Sequence, residues 1–294
     1  MPRPTILVTG AGGQVGGELR RALTAHGDVR ATDRTTLDLA DADALVAAVR
    51  GLRPDIIVNA GAYTAVDRAE SEPDVAFVVN ARAPQILAEE AKASGALLIH
   101  YSTDYVFDGS ANSPYDETAS VNPLNVYGAS KLAGEHAIAQ SGAHALVLRT
   151  SWVYGATGQN FLLTIRRLAR ERDQLSIVAD QTGVPNWSSA LAEATAALIG
   201  RGMSHLIERA GLYHLSCGGA TTWYGFARAI VGDVTRPRVV PIATQDYPTP
   251  ARRPAYGVLS NVRFENTFGY KMPEWHDALQ ACIAGMMKGS PSAH

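Results

Sequence analysis

The sequence predicts an α/β fold, a doubly wound parallel sheet with a smaller carboxy-terminal lobe. Three observations predict it: short continuous runs of β-branched and apolar residues, helical segments of roughly ten to twenty residues between them, and a glycine cluster directly after the first run. Runs that are apolar throughout mark strands covered on both faces, and crossover helices then return the chain right-handedly to the same sheet.

The elements follow in order. Residues 5–9, Thr-Ile-Leu-Val-Thr, form the first strand and stop at Gly10. A helix is predicted over 15–26, and a second strand over 28–33 ends in Asp33. The helix 41–50 leads through Pro54 into a third strand, 55–59. A helix at 74–94, a strand at 96–101, a long helix at 125–140 and a strand at 143–149 repeat the rhythm. Beyond this the pattern loosens into a helix at 158–171, a short strand at 175–178, a turn at 183–187 and an alanine-rich helix at 188–200. A strand at 212–215, a helix at 222–231, a loop at 244–254 and a last helix from 274 complete the chain. The later part has too few strands for a second full sheet. It is expected to wrap over the carboxyl ends of the main strands, where open α/β sheets hold ligands. The division is therefore 1–155, joined by later returning segments, and 156–294 for the lobe that covers the substrate.

Composition sets the outer limits. The chain has 294 residues, of which 46% are hydrophobic and 18% charged, as in ordinary globular proteins. A formal net charge of -2 offers no long-range pull on a polyanion, which argues against nucleic acid or an anionic membrane as partner. No apolar run is long enough to span a bilayer, and the first apolar run meets a glycine turn too soon for a signal peptide. Cys217 and Cys282 form neither a CxxC pair nor a disulfide framework, so a cytoplasmic setting is expected.

The cluster Gly10-Ala-Gly-Gly13-Gln14-Val15-Gly16 spaces Gly10, Gly13 and Gly16 as G-x-x-G-x-x-G. A tight turn, close approach of a phosphate to backbone N–H groups, and a helix N-terminus behind them are what a pyrophosphate needs. That identifies the first half as a Rossmann-like dinucleotide domain. About twenty residues on, Asp33 is placed to accept from an adenosine ribose, while Arg34 matches a 2′-phosphate; the two favour opposite cofactors, and NADPH with NADH possible is the reading. Asp38 and Leu39 are placed near the adenine edge, and Asn59, Ala60 and Gly61 close the third strand with backbone the dinucleotide can lie against. Asn80 is either a polar anchor or a surface residue.

The chemistry lies further on. The fourth strand runs through His100 into Ser102-Thr103-Asp104, and the next long helix opens with Tyr127 and Lys131. Tyrosine and lysine at i and i+4 share a helix face. An ammonium beside a phenol is expected to lower the phenol toward neutrality, making an acid–base group for an oxygen whose carbon exchanges hydride. A hydroxyl from Ser102 or Thr103 would hold that oxygen. His100 is expected to be a satisfied core histidine. The remaining histidines lack zinc spacing, and neither G-x-S-x-G nor G-x-x-x-x-G-K occurs.

The blocks Arg53–Pro73, His100–Gly109, Pro123–Glu135, Arg149–Tyr154, Gly211–Leu215 and Tyr247–Pro254 carry a resemblance. With Gly10–Gly16, they make the chain similar to the dTDP-4-dehydrorhamnose reductases of the extended short-chain dehydrogenase/reductase superfamily. The resemblance implies Thr103, Tyr127 and Lys131 as catalytic residues, with Tyr127 and Lys131 also touching the cofactor. It implies a substrate surface from Thr64, Val66, Thr103, Asp104 and Trp152, with Arg252 or Arg253 either an anion contact or a fixture of its loop. The implied reaction reduces the C4 ketone of a dTDP-linked keto sugar with NAD(P)H. Some family members form a metal-assisted dimer; Glu18 fits one acidic ligand, but a serine in Pro185-Asn-Trp-Ser-Ser stands where the other is expected, so no metal ligand is assigned and a monomer or homodimer is expected. Two rivals share these motifs: a nucleotide-sugar epimerase or dehydratase, and a non-catalytic regulatory subunit like that of methionine adenosyltransferase.

Overall fold

The computed structural model describes residues 3–232 and 236–288. Its centre is a six-stranded sheet containing β1 (Thr5–Thr9), β2 (Asp28–Ala31), β3 (Ile56–Asn59), β4 (Leu97–Thr103), β5 (Ala145–Thr150) and the later strand Gly211–His214. The spatial order is Gly211–His214, β5, β4, β3, β1, β2, and every neighbouring pair is parallel. The chain leaves β1 first to one side and then to the other, so a crevice opens above the carboxyl ends of β1 and β3, the switch point where such sheets bind ligands.

Period-two alternation divides the sheet between two cores. Ile6, Val8, Ile56, Val58, Leu97 and Ile99 pack toward Leu19 and the helix Ser188–Ile199. Leu7, Ile57 and Leu98 face the opposite way, toward Leu45 and Val49 of the helix Ala42–Leu52, Ile86 and Leu87 of the helix Ala83–Ser94, and Ile138 of the helix Val126–Ser141. Strands buried on both faces explain why the sequence reads as continuous apolar runs.

The differences from the expected elements are local. The second strand stops at Ala31 because Asp33 folds its carboxylate back onto Thr35 and Thr36. The expected helix 74–94 is broken by a π turn at Val78–Arg82. In the later part, Arg238–Ile242 forms an unforeseen strand parallel to Gln174–Val178, obscured in the sequence by Pro241 within a short segment. The short helices Met203–Ile207 and Val262–Phe268 were also unmarked by any long periodic pattern. Among the described residues no helix is long and apolar enough to cross a membrane.

Candidate active site

The glycine loop is shaped by close approach. Gly10 has φ +72°, and a Cβ there would lie 2.5 Å from Gly61 Cα. A Cβ on Gly16 would fall 2.1 Å from the Gly10 carbonyl oxygen. Both positions therefore require glycine, and they bring the loops after β1 and β3 together at the switch point. Gly13 caps the helix Gln14–Ala22 without a side-chain hydrogen bond, leaving that N-terminus to its backbone groups. These features fit a pyrophosphate.

The side chains around the loop are more occupied than their sequence positions suggest. Gln14 is tied across the crevice: its Nε2 donates to the Val153 carbonyl at 3.5 Å, and its Oε1 accepts from Asn160 at 3.0 Å. Val15 packs its side chain into the core, so only its backbone can face a phosphate. Asp33 accepts from Thr35 N and Oγ1 at 2.9 and 2.7 Å, and these bonds hold its carboxyl below the usual range. Arg34 is exposed, with Asp38 at 3.7 Å, and so presents a guanidinium on the rim. Leu39 is buried against Gly61. Asn80 is the anchor rather than a surface residue: buried, it accepts from Tyr63 N and donates to Tyr63 O and Ser130 Oγ, fixing the loop after β3 to the Lys131 helix.

The hydroxyl pair at the end of β4 separates. Ser102 points into the interior, where it donates to Glu135, which in turn holds Arg149 through two bonds of 2.9 and 2.6 Å. It is therefore not available to a substrate, because strand alternation sends 102 and 103 to opposite faces. Thr103 lies on the crevice side, near enough to the Tyr127 phenol to favour its ionised form, and its Oγ1 accepts from Tyr105 N at 3.2 Å. Tyr127 is half-buried, its ring edge-on to Tyr105 with centroids 5.5 Å apart. Asn125 caps this helix by accepting from Gly128 N at 2.8 Å.

The expected acidification of Tyr127 does not occur. Burial pushes the phenol up to about 12, the Thr103 hydroxyl opposes this, and Asp104 adds to the rise. Lys131 contributes no resolved effect, because its Nζ is turned to the Tyr101 carbonyl at 2.7 Å and to His100 Nε2 at 3.2 Å. Burial brings Lys131 itself down to about 8, with Glu135 pulling it back. A phenol of this kind holds its proton at neutral pH, which suits donation to a forming alkoxide.

Asp104 is 1% exposed; its Oδ1 accepts from Thr103 at 3.1 Å and its Oδ2 has no partner. Burial raises its carboxyl to about 7. A carboxyl raised on folding favours the unfolded chain once that chain ionises, so stability is lost as pH rises from the ordinary carboxylate range to about 7. Asp104→Asn is therefore expected to raise the unfolding temperature relative to wild type more at pH 8 than at pH 4. An equal difference at both, read by thermal unfolding, would mean that the carboxyl titrates normally.

Two pairings join the sheet half to the lobe beside the crevice. Trp152, two residues beyond β5, adopts φ +40° and stacks on Trp223 with centroids 3.6 Å apart; a Cβ on Gly183 would lie 2.6 Å from its ring. Thr64 is exposed and Val66 half-buried at the start of the short helix Val66–Ala69. Asp67 in that helix grips Arg253 at 2.5 and 2.8 Å and accepts from Ala251 N at 3.1 Å. Asn125 donates to the Arg252 carbonyl at 2.7 Å. Arg253 is thus the fixture of the loop, and Arg252 keeps its side chain exposed. Trp223 and the tie from Asn125 to Arg252 went unforeseen. Asn before a helix is a readable cap signal, but nothing local marks either tertiary contact.

Glu18 pairs with Arg21, Ser189 donates to Glu193, and no group of three or more His, Cys, Asp or Glu suited to a metal ion occurs among the described residues.

The family described as RmlD substrate binding domain matches residues 4–288. The chain is similar to a dTDP-4-dehydrorhamnose reductase of Burkholderia thailandensis, 47% identical and covering 96% of this chain and 99% of that protein. It is also similar to the enzyme of that name from Escherichia coli K12, 46% identical with 92% and 94% covered. Among solved structures, the dTDP-4-dehydrorhamnose reductase of Bacillus anthracis in complex with NADP superposes with a TM-score of 0.90, at 34% identity and with 96% and 99% covered. A UDP-glucose 4-epimerase of Thermus thermophilus in complex with NAD has a TM-score of 0.80, with 97% and 100% covered, but at 21% identity it speaks for the fold alone.

Proposed function

The chain belongs to the RmlD substrate-binding-domain family of dTDP-4-dehydrorhamnose reductases, and from that premise we infer the roles of its residues. It is an NADP-dependent reductase that converts the C4 ketone of dTDP-4-dehydro-β-L-rhamnose to the alcohol of dTDP-L-rhamnose. The epimerase, dehydratase and regulatory-subunit readings fall away with this assignment.

The observation that carries the residue assignment is the Thr103 hydroxyl acting on the Tyr127 phenol at the carboxyl end of β4, the same end of the parallel sheet as the glycine cradle. When bound, the reduced nicotinamide supplies the hydride. Gly10, Gly13 and Gly16, with the backbone of Gln14 and Val15, receive the pyrophosphate; Asn59, Ala60 and Gly61 bound the crevice floor; Asp33, Arg34, Asp38 and Leu39 edge the adenosine end. Arg34 presents the exposed guanidinium for a 2′-phosphate, in keeping with NADPH, whereas the Asp33 carboxylate is already tied to Thr35. Thr103 turns its hydroxyl proton from Asp104 to the ketone oxygen, and Tyr127 gives its proton to that oxygen as it becomes an alkoxide. Lys131 binds beside them. Thr64, Val66 and the Trp152 face bound the sugar, with the buried Asp104 carboxyl behind Thr103, and Arg252 meets the diphosphate. Residues 1–155 hold the dinucleotide and 156–294 mainly the substrate. The enzyme works as a monomer or homodimer, and its buried, unpaired Cys217 and Cys282 suit a reducing cytoplasm.

Supplying the dTDP-4-keto sugar is expected to oxidise one NADPH per sugar reduced, followed by loss of dihydronicotinamide absorbance. No oxidation with that substrate would contradict the reaction. Arg253→Ala is expected to raise KM for the sugar nucleotide by about tenfold or less with a smaller change in kcat, because a charged pair worth roughly 1.5–3 kcal/mol is discounted here for the half-exposed Asp67. A loss confined to kcat would show that the loop acts on chemistry instead.

A further inference from the structure

His100 touches Lys131 in an arrangement whose protons can be counted. Asn59 Oδ1 accepts from Thr9 Oγ1 at 2.7 Å and from the Gly61 backbone N–H at 3.2 Å. A backbone N–H can only donate, so the carbonyl end of the Asn59 amide is fixed toward Gly61 and its NH2 end faces His100 Nδ1 at 3.0 Å. His100 Nδ1 must then accept, which leaves the proton of a neutral imidazole on Nε2, and Nε2 is 3.2 Å from Lys131 Nζ. Thr9, Asn59, His100 and Lys131 are all buried, and burial is the larger cause that holds His100 well below its ordinary value, toward the neutral imidazole.

We propose that His100, oriented by Asn59, is a positioning residue that governs the protonation of Lys131, presenting an N–H to Nζ and favouring its amine form. The amine satisfies every partner: its lone pair accepts from His100 Nε2–H while it donates to the Tyr101 carbonyl at 2.7 Å. An ammonium cannot accept, so protonating Lys131 opposes N–H to N–H unless His100 moves its proton to Nδ1 and gives up the bond to Asn59. The Gly10–Gly61 contact thereby joins the floor of the dinucleotide crevice to Lys131 through Asn59.

The charged groups around Lys131 are otherwise engaged. Glu135, one turn along the same helix, favours the ammonium but is itself paired with Arg149 of β5. Asp104 and Tyr105 act on Tyr127, Asp67 is held by Arg253, and Glu90 of the helix Ala83–Ser94 is held by Arg50. Tyr101 turns its hydroxyl away to Thr195.

The inference rests on Lys131 belonging to the reductase site, yet the imidazole tautomer can be read without turnover. In the full-length protein without cofactor, nitrogen NMR of labelled histidines is run well above the Lys131 value of about 8, with His100 assigned by the signal lost in His100→Gln. It is expected to show the Nε2–H tautomer; an Nδ1–H tautomer overturns the proposal. Asn59→Asp replaces the amide donor with an acceptor, so His100 is expected to switch to Nδ1–H and the alkaline limb of the kcat/KM profile to move up by about one unit or more. A tautomer and limb unchanged by Asn59→Asp also overturn it. Absent NADPH oxidation beside an Nε2–H tautomer would instead indict the reductase reading alone.

Discussion

Tyr127→Phe is expected to lower kcat by about 10²–10⁴-fold while leaving NADPH affinity nearly unchanged, measured by steady-state kinetics and by cofactor titration. The phenol oxygen is the atom removed. It lies near Thr103 on the crevice side of β4 and, held protonated by burial near 12, is the donor placed to neutralise a forming alkoxide. The ring stays, edge-on to Tyr105, so the helix keeps its packing. Retained turnover would move proton transfer to another group. Loss of cofactor affinity to the same degree would mean that the hydroxyl serves binding rather than chemistry.

Glu135→Ala is expected to lower stability by about 3–5 kcal/mol, read as a lower urea midpoint at an unchanged m value. Glu135 and Arg149 are 6% and 3% exposed and share two hydrogen bonds, while Ser102 donates to the same carboxylate. Removing the carboxylate strands a buried guanidinium whose Nη1 already lacks a hydrogen-bond partner and which lies over the Phe107 ring at 5.1 Å. The Ser102 hydroxyl is orphaned with it. Replacing both ions, as in Glu135→Met with Arg149→Met, is expected to recover much of the loss, since the penalty belongs to an unpaired charge rather than to the missing pair. A double variant as unstable as Glu135→Ala would instead place the loss in packing.

Much of the fold was legible because the strands are covered on both faces. The apolar runs that became β1, β3, β4 and β5 carry no polar alternation to confuse them with surface strands, and the glycines at Gly10 and Gly16 have no substitute at their backbone contacts. What escaped was tertiary. Pro241 masked the strand Arg238–Ile242, and Trp223 reaches Trp152 only through packing of the lobe.

The site was legible by residue type and less so by orientation. Period-two alternation already separates Ser102 from Thr103, so only one hydroxyl could have faced the crevice, whereas Ser102 and Glu135 meet only once helix and strand are packed. Asp33 illustrates the opposite failure. A threonine two residues after an aspartate is a readable side-chain turn, and that turn occupies the carboxylate assigned to a ribose. The acidity of Tyr127 was misjudged because i,i+4 spacing gives proximity but not the competing acceptors: Tyr101 O and His100 Nε2 engage the Lys131 amine, and burial outweighs it.

The most direct test of the shared oxygen is a double-mutant cycle on kcat with Thr103→Val and Tyr127→Phe. If both hydroxyls serve one substrate atom, the double variant loses far less than the product of the two single losses. Fully multiplicative losses would show that the two hydroxyls act independently and contradict the shared site.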